Sequence, residues 1–121
     1  MKTTILITIL ALVFGNGYAQ SGKSNQPTTS EFKVLGECGM CKSRIEKAAK
    51  VDGVSSAEWN ESTKILKVVY QPSKINVETI HKNIAKVGHD TELEKADDEI
   101  YNKLPSCCKY DRKISPKGHK H

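Results

Sequence analysis

The feature that most constrains the fold is the order in which apolar residues change their spacing along one short segment. Apolar residues at every second position indicate a β-strand, and apolar residues spaced by three and four indicate an amphipathic helix. These spacings predict a strand at 28–35, a helix at 41–50, strands at 54–60 and 66–70, a helix at 76–87 and a short strand at 91–94. The predicted order is therefore strand, helix, strand, strand, helix, strand.

This order predicts one small α+β domain. It is the split βαβ pattern of a ferredoxin-like sandwich, in which helices cover one face of an antiparallel sheet. Pro72 ends the hairpin, because proline has no N–H for the strand ladder, and Gly88 is placed to end the second helix. Trp59 is in phase with Ala57 and is predicted to pack on the sheet. The expected fold is a βαββαβ sandwich with a cysteine-containing C-terminal extension.

Residues 1–19 are predicted to be a secretory signal peptide. Lys2 is followed by an apolar run that ends at Phe14 and by small residues up to Ala19, which is the order of a signal peptide that is cleaved after Ala19. The apolar run is shorter than the roughly 18 residues that a membrane-spanning helix needs. We therefore expect an exported protein, periplasmic or extracellular, whose mature chain is not stably inserted in a membrane.

The mature chain is predicted to contain a single folded domain. The small polar residues at 20–27 are typical of a disordered lead-in. The domain is assigned to residues 28–95, and residues 96–121 form an extension that carries Cys107 and Cys108 and ends in a basic tail. A helical turn is expected within 97–104, and the chain is expected to be mobile from Lys109 onward.

The charge of the chain is basic and is spread along its length. The formal net charge is +5, and removal of Lys2 with the signal peptide lowers it to +4. Nucleic-acid-binding proteins usually collect basic and aromatic residues on one face, and the sequence has no such cluster. We therefore expect no nucleic-acid partner, and we favour a protein with an acidic docking face that meets the lysine-rich first helix.

Cys38 and Cys41 lie where the first strand gives way to the first helix. Thiolates are soft donors for Cu(I), Zn(II) and Hg(II), and two of them three positions apart can converge on one ion. The unpaired N–H groups and the positive end of the helix favour the ionised sulfur, and Lys42 and Arg44 are expected to act in the same direction. A low thiol pKa serves metal binding and thiol exchange equally, so the pair predicts either a metal site or a redox dithiol.

The loop Leu35-Gly36-Glu37-Cys38-Gly39-Met40-Cys41 and the elements around it resemble the heavy-metal-associated domains of copper chaperones, copper-transporting ATPases and periplasmic mercury-binding proteins. The resemblance covers about residues 28–93. The usual family loop is G-M-x-C-x-x-C, so both cysteines correspond, whereas the buried methionine is missing and Met40 lies between the cysteines. The resemblance implies that Cys38 and Cys41 bind one soft ion, with Cu(I) favoured over Hg(II) and Zn(II), and pass it to a partner's cysteines by ligand exchange.

His89 is a candidate additional ligand because it follows Gly88 in the loop that, in the resembling family, faces the metal. Imidazole suits copper and zinc, and a histidine at this place is either a third ligand or a hydrogen-bond donor to sulfur. The alternative is an exposed loop histidine without a role in the site.

Cys107 and Cys108 are the other candidate ligands. Their neighbours Ser106 and Lys109 make burial in the core unexpected. Adjacent thiols either bind a soft ion, by folding back over Cys38 and Cys41, or form a vicinal or cross-pair disulfide; the remaining alternative is that they have no role. His119 and His121 would add only a weak copper site, and a solvated tail is the favoured prediction there.

These observations favour an exported metallochaperone or metal scavenger over an enzyme. Such a protein is expected to exchange its ion with a metal-transporting membrane protein or another metal-binding protein, as a monomer or a metal-bridged dimer. The alternative is a thiol-disulfide oxidoreductase, because C-x-x-C at a helix start is also the thioredoxin-type site. The order of elements lacks the parallel crossover that such a fold needs. A third hypothesis is a structural module whose cysteines are oxidised.

Overall fold

The computed structural model describes residues 26–112. Its elements are β1 (Thr28–Lys33), α1 (Gly39–Ala49), β2 (Val54–Trp59), β3 (Ile65–Tyr70), α2 (Val77–Ala85), α3 (Asp98–Asn102) and a 3₁₀ turn (Ser106–Cys108). The predicted signal peptide, most of the lead-in at 20–27 and the histidines at 119 and 121 lie outside the described residues. Within residues 26–112, none of the helices has the length and apolar character needed to cross a membrane.

β3 is the central strand of an antiparallel sheet. It pairs with β1 in unbroken register from Thr28 opposite Tyr70 to Lys33 opposite Ile65. On its other side it pairs with β2, and the register there shifts between Val54 and Ser56. The strand order is β1-β3-β2. This arrangement confirms the predicted hairpin, formed by β2 and β3. It also makes β1 and β3, which are far apart in the sequence, neighbours in the sheet.

Both long helices pack against the same face of the sheet. The core combines alternate strand residues with helix residues at spacings of four; its main members are Phe32, Val34, Trp59, Leu66, Val68 and Tyr70 from the sheet and Cys41, Ile45, Ala49, Ile80 and Ile84 from the helices. In α1 the buried stripe begins with Cys41, followed one and two turns later by Ile45 and Ala49. A candidate ligand is therefore the first residue of the apolar stripe that fixes the helix.

The fourth predicted strand, at 91–94, is reduced to one antiparallel bridge between Val34 and Thr91. The side-chain oxygen of Thr91 accepts hydrogen bonds from the N–H groups of Leu93 and Glu94, at 3.2 and 3.0 Å. The N–H of Thr91 in turn donates to the carbonyl of Glu94. The chain turns at Thr91 because these local bonds compete with strand pairing, so the prediction was wrong beyond that residue.

The C-terminal extension packs on the same core as the rest of the chain. α3 confirms the helical turn predicted within 97–104. After it, Leu104, Cys108 and Tyr110 are each buried and belong to the core. The expectations that the Cys107–Cys108 pair stays out of the core and that the chain is mobile from Lys109 were wrong for Cys108 and for the segment up to Arg112. Tertiary contacts, rather than local apolar periodicity, fix these residues.

Candidate metal centre

The start of α1 fixes the first cysteine pair. Cys38 is the N-cap residue, with an extended backbone at φ −131° and ψ 178°, and its carbonyl accepts the N–H of Lys42 at 3.0 Å. The helix begins at Gly39, two residues earlier than predicted, so Cys41 lies in its first turn. Cys38 is half-buried and Cys41 is fully buried, and their sulfur atoms lie 3.6 Å apart.

Gly36 brings the loop into contact with Trp59. A Cβ atom on Gly36 would lie 3.1 Å from two ring atoms of Trp59 and 3.2 Å from Cβ of Cys41. The indole N–H donates to the carbonyl of Val34 at 3.0 Å, which confirms Trp59 as a packing residue. Gly36 stands at the position of the methionine in the G-M-x-C-x-x-C pattern, and the Trp59 ring takes up that space. Met40 is 55% exposed and does not replace it.

The extension brings the second cysteine pair to the first. The sulfur of Cys38 lies 3.3 Å from that of Cys107 and 3.5 Å from that of Cys108. The sulfur atoms of Cys38, Cys41 and Cys108 all lie within 4.8 Å of one another. Cys108 is fully buried and Cys107 is exposed, and all four thiols are free. The fold-back that the sequence left as one alternative is therefore present in the structure.

The side chains of Met40 and Cys107 complete a rim of sulfur. The Cys107 thiol donates to the thioether sulfur of Met40 at 3.6 Å. Cys107 also lies 3.9 Å from its neighbour Cys108, sulfur to sulfur. The cluster thus has a buried floor, formed by Cys41 and Cys108, and an accessible rim, formed by Cys38, Cys107 and Met40. Such a set of soft donors is suited to a soft cation.

The four thiols differ in acidity. The N–H of Cys41 stabilises the Cys38 thiolate and, with the neighbouring Cys107 thiol, lowers the pKa of Cys38 to about 7. Burial raises the pKa of Cys41 to about 12 and also raises that of Cys108. Contact with Cys38 is the main cause that raises the pKa of Cys107. Cys38 is therefore the thiol that ionises first near neutral pH.

The two basic residues predicted to act on the first pair have different roles. The ammonium group of Lys42 has other partners: its Nζ donates to Glu46 at 2.6 Å and to the carbonyl of Trp59 at 2.8 Å. Arg44 instead donates from Nη1 to the sulfur of Cys108 at 3.3 Å. The expectation was wrong for Lys42, and the charge of Arg44 supports the second pair through a contact across 64 residues.

His89 is buried and lies apart from the group formed by Cys38, Cys41 and Cys108. Its Nδ1 lies 2.8 Å from the carbonyl of Leu35, so that nitrogen carries the proton and donates. Burial lowers the pKa of His89 to about 4, and its ring stacks on Tyr110 with centroids 5.5 Å apart. The structure has, in place of a third ligand, a hydrogen-bond donor to sulfur or an exposed loop residue, a neutral buried histidine that ties the segment after β1 to the loop after α2.

A group that we call the latch, formed by Tyr110 and Arg112, holds the extension in place. The Tyr110 hydroxyl donates to the carbonyl of Gly88 at 2.7 Å and accepts the N–H of Asp90 at 2.8 Å. Arg112 makes two bonds to the carboxylate of Asp90, at 2.9 and 2.8 Å, and a further bond to Asp98 at 2.8 Å. Sequence reasoning missed the latch, and a tyrosine and an arginine in a polar tail gave little signal for it.

A known protein family and a named relative each match part of this chain. A family model described as the heavy-metal-associated domain matches residues 37–90. A copper-exporting P-type ATPase of Staphylococcus saprophyticus is 38% identical over 69 residues, which is 55% of this chain. The chain spans only 9% of the length of that ATPase.

Two solved structures have similar folds. The CopZ metallochaperone superposes with a TM-score of 0.51 and 35% identity, covering 53% of this chain and 98% of its own. The N-terminal domain of a potential copper-translocating P-type ATPase from Bacillus subtilis, in the Cu(I)-loaded state, gives a TM-score of 0.53 and 30% identity, covering 62% of this chain and 96% of its own. These similarities confirm the predicted α+β, ferredoxin-like class.

Proposed function

Because the chain belongs to the heavy-metal-associated domain family, we propose that it is an exported Cu(I)-binding protein that holds the ion at Cys38 and Cys41 and passes it on by thiolate exchange. The observation that carries this proposal is the sulfur-only cluster at the start of α1, where the sulfur atoms of Cys38 and Cys41 lie 3.6 Å apart. A cluster of soft donors without a carboxylate among its ligands favours a soft monovalent ion over a hard one.

Three observations favour Cu(I) over the alternative ions. The Bacillus subtilis domain was solved in its Cu(I)-loaded state, and the relative from Staphylococcus saprophyticus is a copper-exporting ATPase. Zn(II) in structural sites is tetrahedral and takes four ligands, whereas three sulfur atoms, those of Cys38, Cys41 and Cys108, lie within 4.8 Å of one another and the fourth thiol, Cys107, is exposed on the rim. Hg(II) shares the preference for thiolates and is the alternative cargo that a competition experiment separates from Cu(I).

The difference in burial between Cys38 and Cys41 sets the order in which the two thiolates release the ion. Cys38 is accessible and ionises near neutral pH, whereas Cys41 is buried and its pKa is about 12. An incoming thiolate bonds to the ion, the bond to Cys38 breaks, and Cys38 takes up the proton that the incoming thiol released. Cys41 leaves last. No electron is transferred, so copper remains Cu(I), and the low coordination number keeps the barrier to exchange small.

The partner and the compartment follow from charge and from the N-terminal sequence. The signal peptide predicted at 1–19 supports export to the periplasm or beyond, with cleavage after Ala19. The basic residues of α1, the helix whose first turn carries Cys41, suit an acidic docking face on a metal-transporting membrane protein or another metal-binding protein. The protein would act as a binding protein without a catalysed reaction, as a monomer or as a metal-bridged dimer.

The test is an anaerobic titration of the reduced protein with Cu(I) against a competing chelator. We expect one equivalent to bind tightly, and we expect Cys38→Ser/Cys41→Ser to weaken binding by more than about 1,000-fold, equivalent to about 4 kcal/mol. A parallel titration with Hg(II) and Zn(II) ranks the ions. Binding by the double variant that is as tight as in the wild type would reject the proposal.

A second candidate function is thiol-disulfide exchange, and the acidity pattern is the observation that favours it. A low-pKa accessible thiol next to a high-pKa buried thiol, Cys38 and Cys41, is also the arrangement of a redox dithiol. An insulin-reduction assay with a dithiol reductant separates the two functions. Turnover that is lost in Cys38→Ser would favour the oxidoreductase, and absence of turnover favours the metallochaperone.

A further inference from the structure

The buried thiol of the extension lies at the distance of a ligand from the first pair. Cys108 lies 3.5 Å from Cys38, sulfur to sulfur, beside the 3.6 Å between Cys38 and Cys41. With metal–sulfur bonds of about 2.3 Å, a linear two-coordinate ion needs its sulfur atoms about 4.6 Å apart, and a planar three-coordinate ion needs about 4.0 Å. The sulfur atoms are thus closer to a triangle than to a linear pair.

Cys108 is held at this position by structure on both sides of it. Before it, Leu104 packs against Gly88, where a Cβ atom would lie 2.9 Å from the leucine side chain and where φ is +104°. After it, the latch residues Tyr110 and Arg112 form hydrogen bonds with Gly88 and Asp90. A ligand fixed in this way loses little conformational freedom when it binds an ion. Cys108 is therefore preorganised for binding.

The charge around Cys108 also suits a thiolate ligand. Three thiolates with one Cu(I) would carry a net charge of −2 in a largely buried place, which needs compensation. The guanidinium of Arg44 lies 3.3 Å from the Cys108 sulfur. Arg44 thus places a permanent positive charge beside Cys108, the proposed ligand that lies outside the family loop.

Cys107 lies as near to Cys38 as Cys108 does, but it differs from Cys108 in burial and in its neighbours. It is exposed, it is outside the group of three sulfur atoms that lie within 4.8 Å of one another, and it lies 3.3 Å from Cys38 and 3.6 Å from the thioether of Met40. Its place is on the rim, next to the accessible ligand.

Building on the proposed Cu(I) site, we propose that Cys108 is the third ligand of a trigonal Cu(I) site with Cys38 and Cys41, and that Cys107 is the exit ligand through which the ion leaves. On loading, each of the three ligand thiols that is protonated releases its proton to solvent. On departure, Cys107 loses its proton as its sulfur bonds to copper, the bond from Cys38 breaks, and Cys38 takes up a proton. Copper stays Cu(I) throughout.

The consequence is a protein that retains its ion more firmly than a two-cysteine domain. A thiol attached to the same chain competes with a partner's thiol at an effective concentration in the millimolar range or above. Transfer to a partner therefore requires Cys108 to be displaced, and the extension acts as a built-in competitor. This property suits a scavenger or a carrier that releases its cargo only at a docked partner.

The test compares two adjacent serine variants, Cys108→Ser and Cys107→Ser, in an anaerobic Cu(I) competition titration of the purified protein. We expect Cys108→Ser to weaken Cu(I) binding by about 10- to 100-fold, at least the loss that removal of an outer-sphere partner causes at metal sites. We expect Cys107→Ser, which removes the exit ligand, to weaken binding less than Cys108→Ser does and to slow transfer to a thiol chelator. Equal affinities for wild type and Cys108→Ser would overturn the proposal.

A second measurement covers the case in which Cys108→Ser does not fold. Cadmium-113 NMR of the wild-type protein with one equivalent of Cd(II) reports the number of thiolate ligands through the chemical shift. A shift typical of three or more sulfur ligands supports the proposal, and a shift typical of two sulfur ligands contradicts it. Cys38→Ser/Cys41→Ser separates this proposal from the proposed function: tight binding in that variant would refute the Cu(I) site itself, whereas loss there with no effect of Cys108→Ser refutes only the third ligand.

Discussion

Each of the two cysteine pairs has one buried and one accessible thiol, but different contacts hold the two pairs in place. In each pair one thiol is buried, Cys41 or Cys108, and the other faces the rim, Cys38 or Cys107. The first pair is fixed by local structure, namely the start of α1 and the contact of Gly36 with Trp59. The second pair is fixed by contacts that span about twenty residues or more, at the latch and at Arg44.

This difference implies that the two halves of the site respond to different perturbations. The first pair should survive any change that leaves the sheet and α1 intact, because its geometry is encoded within a few residues. The second pair depends on a buried ion pair and should be lost when one residue of that pair is removed. The first pair should therefore keep its geometry in variants in which the second pair is displaced from the site.

The largest expected effect comes from removing the latch with Arg112→Ala. Asp90 is fully buried, and loss of its partner leaves its carboxylate uncompensated, which we expect to cost about 3 kcal/mol of the free energy of unfolding. Urea denaturation of the reduced protein measures this. The control is Asp98→Asn, because the Asp98 side chain is 80% exposed and its loss should cost less than about 1 kcal/mol. Equal effects of the two variants would mean that the latch does not hold the extension.

A smaller effect is expected from restoring the family methionine with Gly36→Met. The side chain would meet Trp59 at the Cβ atom already, so we expect overpacking to cost about 1–3 kcal/mol of the free energy of unfolding. Gly39→Ala is the matched control, since nothing lies within 4 Å of a Cβ atom there, and alanine for glycine in a helix stabilises by about 0.5–1 kcal/mol. A stabilising Gly36→Met would show that the space at Trp59 is free after all.

The smallest effect is a difference in thiol reactivity between the two rim cysteines. The thiolate is the nucleophile, so the alkylation rate of Cys38 should reach half its maximum near pH 7, the pKa of Cys38, and level off above that pH. The pKa of Cys107 is raised by contact with Cys38, so its rate should still be rising above that pH although it is more exposed. Brief alkylation followed by mass spectrometry of the peptides gives both profiles. Faster alkylation of Cys107 than of Cys38 at pH 7 would contradict the assigned acidities.

The parts of the fold that were predictable from the sequence are those with a repeating pattern. The alternation at Leu66, Val68 and Tyr70 and the spacing at Ile80 and Ile84 predicted β3 and α2, because each element buries one face and the period of the pattern reports it. The pair Cys38 and Cys41 was predictable for the same reason, since the change from strand to helix period places it.

The remaining features of the fold depend on single contacts, which leave no periodic pattern in the sequence. The turn at Thr91 follows from one hydroxyl group, and the burial of Tyr110 follows from its bonds to Gly88 and Asp90. Cys108 sits between Ser106 and Lys109 in the sequence, and only the fold shows that Arg44 and the core enclose it. His89 was misplaced because its partner, the carbonyl of Leu35, is a backbone group that side-chain patterns do not reveal.

The central claim, that one ion joins the two cysteine pairs, is tested most directly by X-ray absorption spectroscopy of the protein loaded anaerobically with one equivalent of Cu(I). The account predicts three sulfur ligands in the wild type and two in Cys108→Ser. A first shell of two sulfur atoms in the wild type, unchanged in Cys108→Ser, would contradict it.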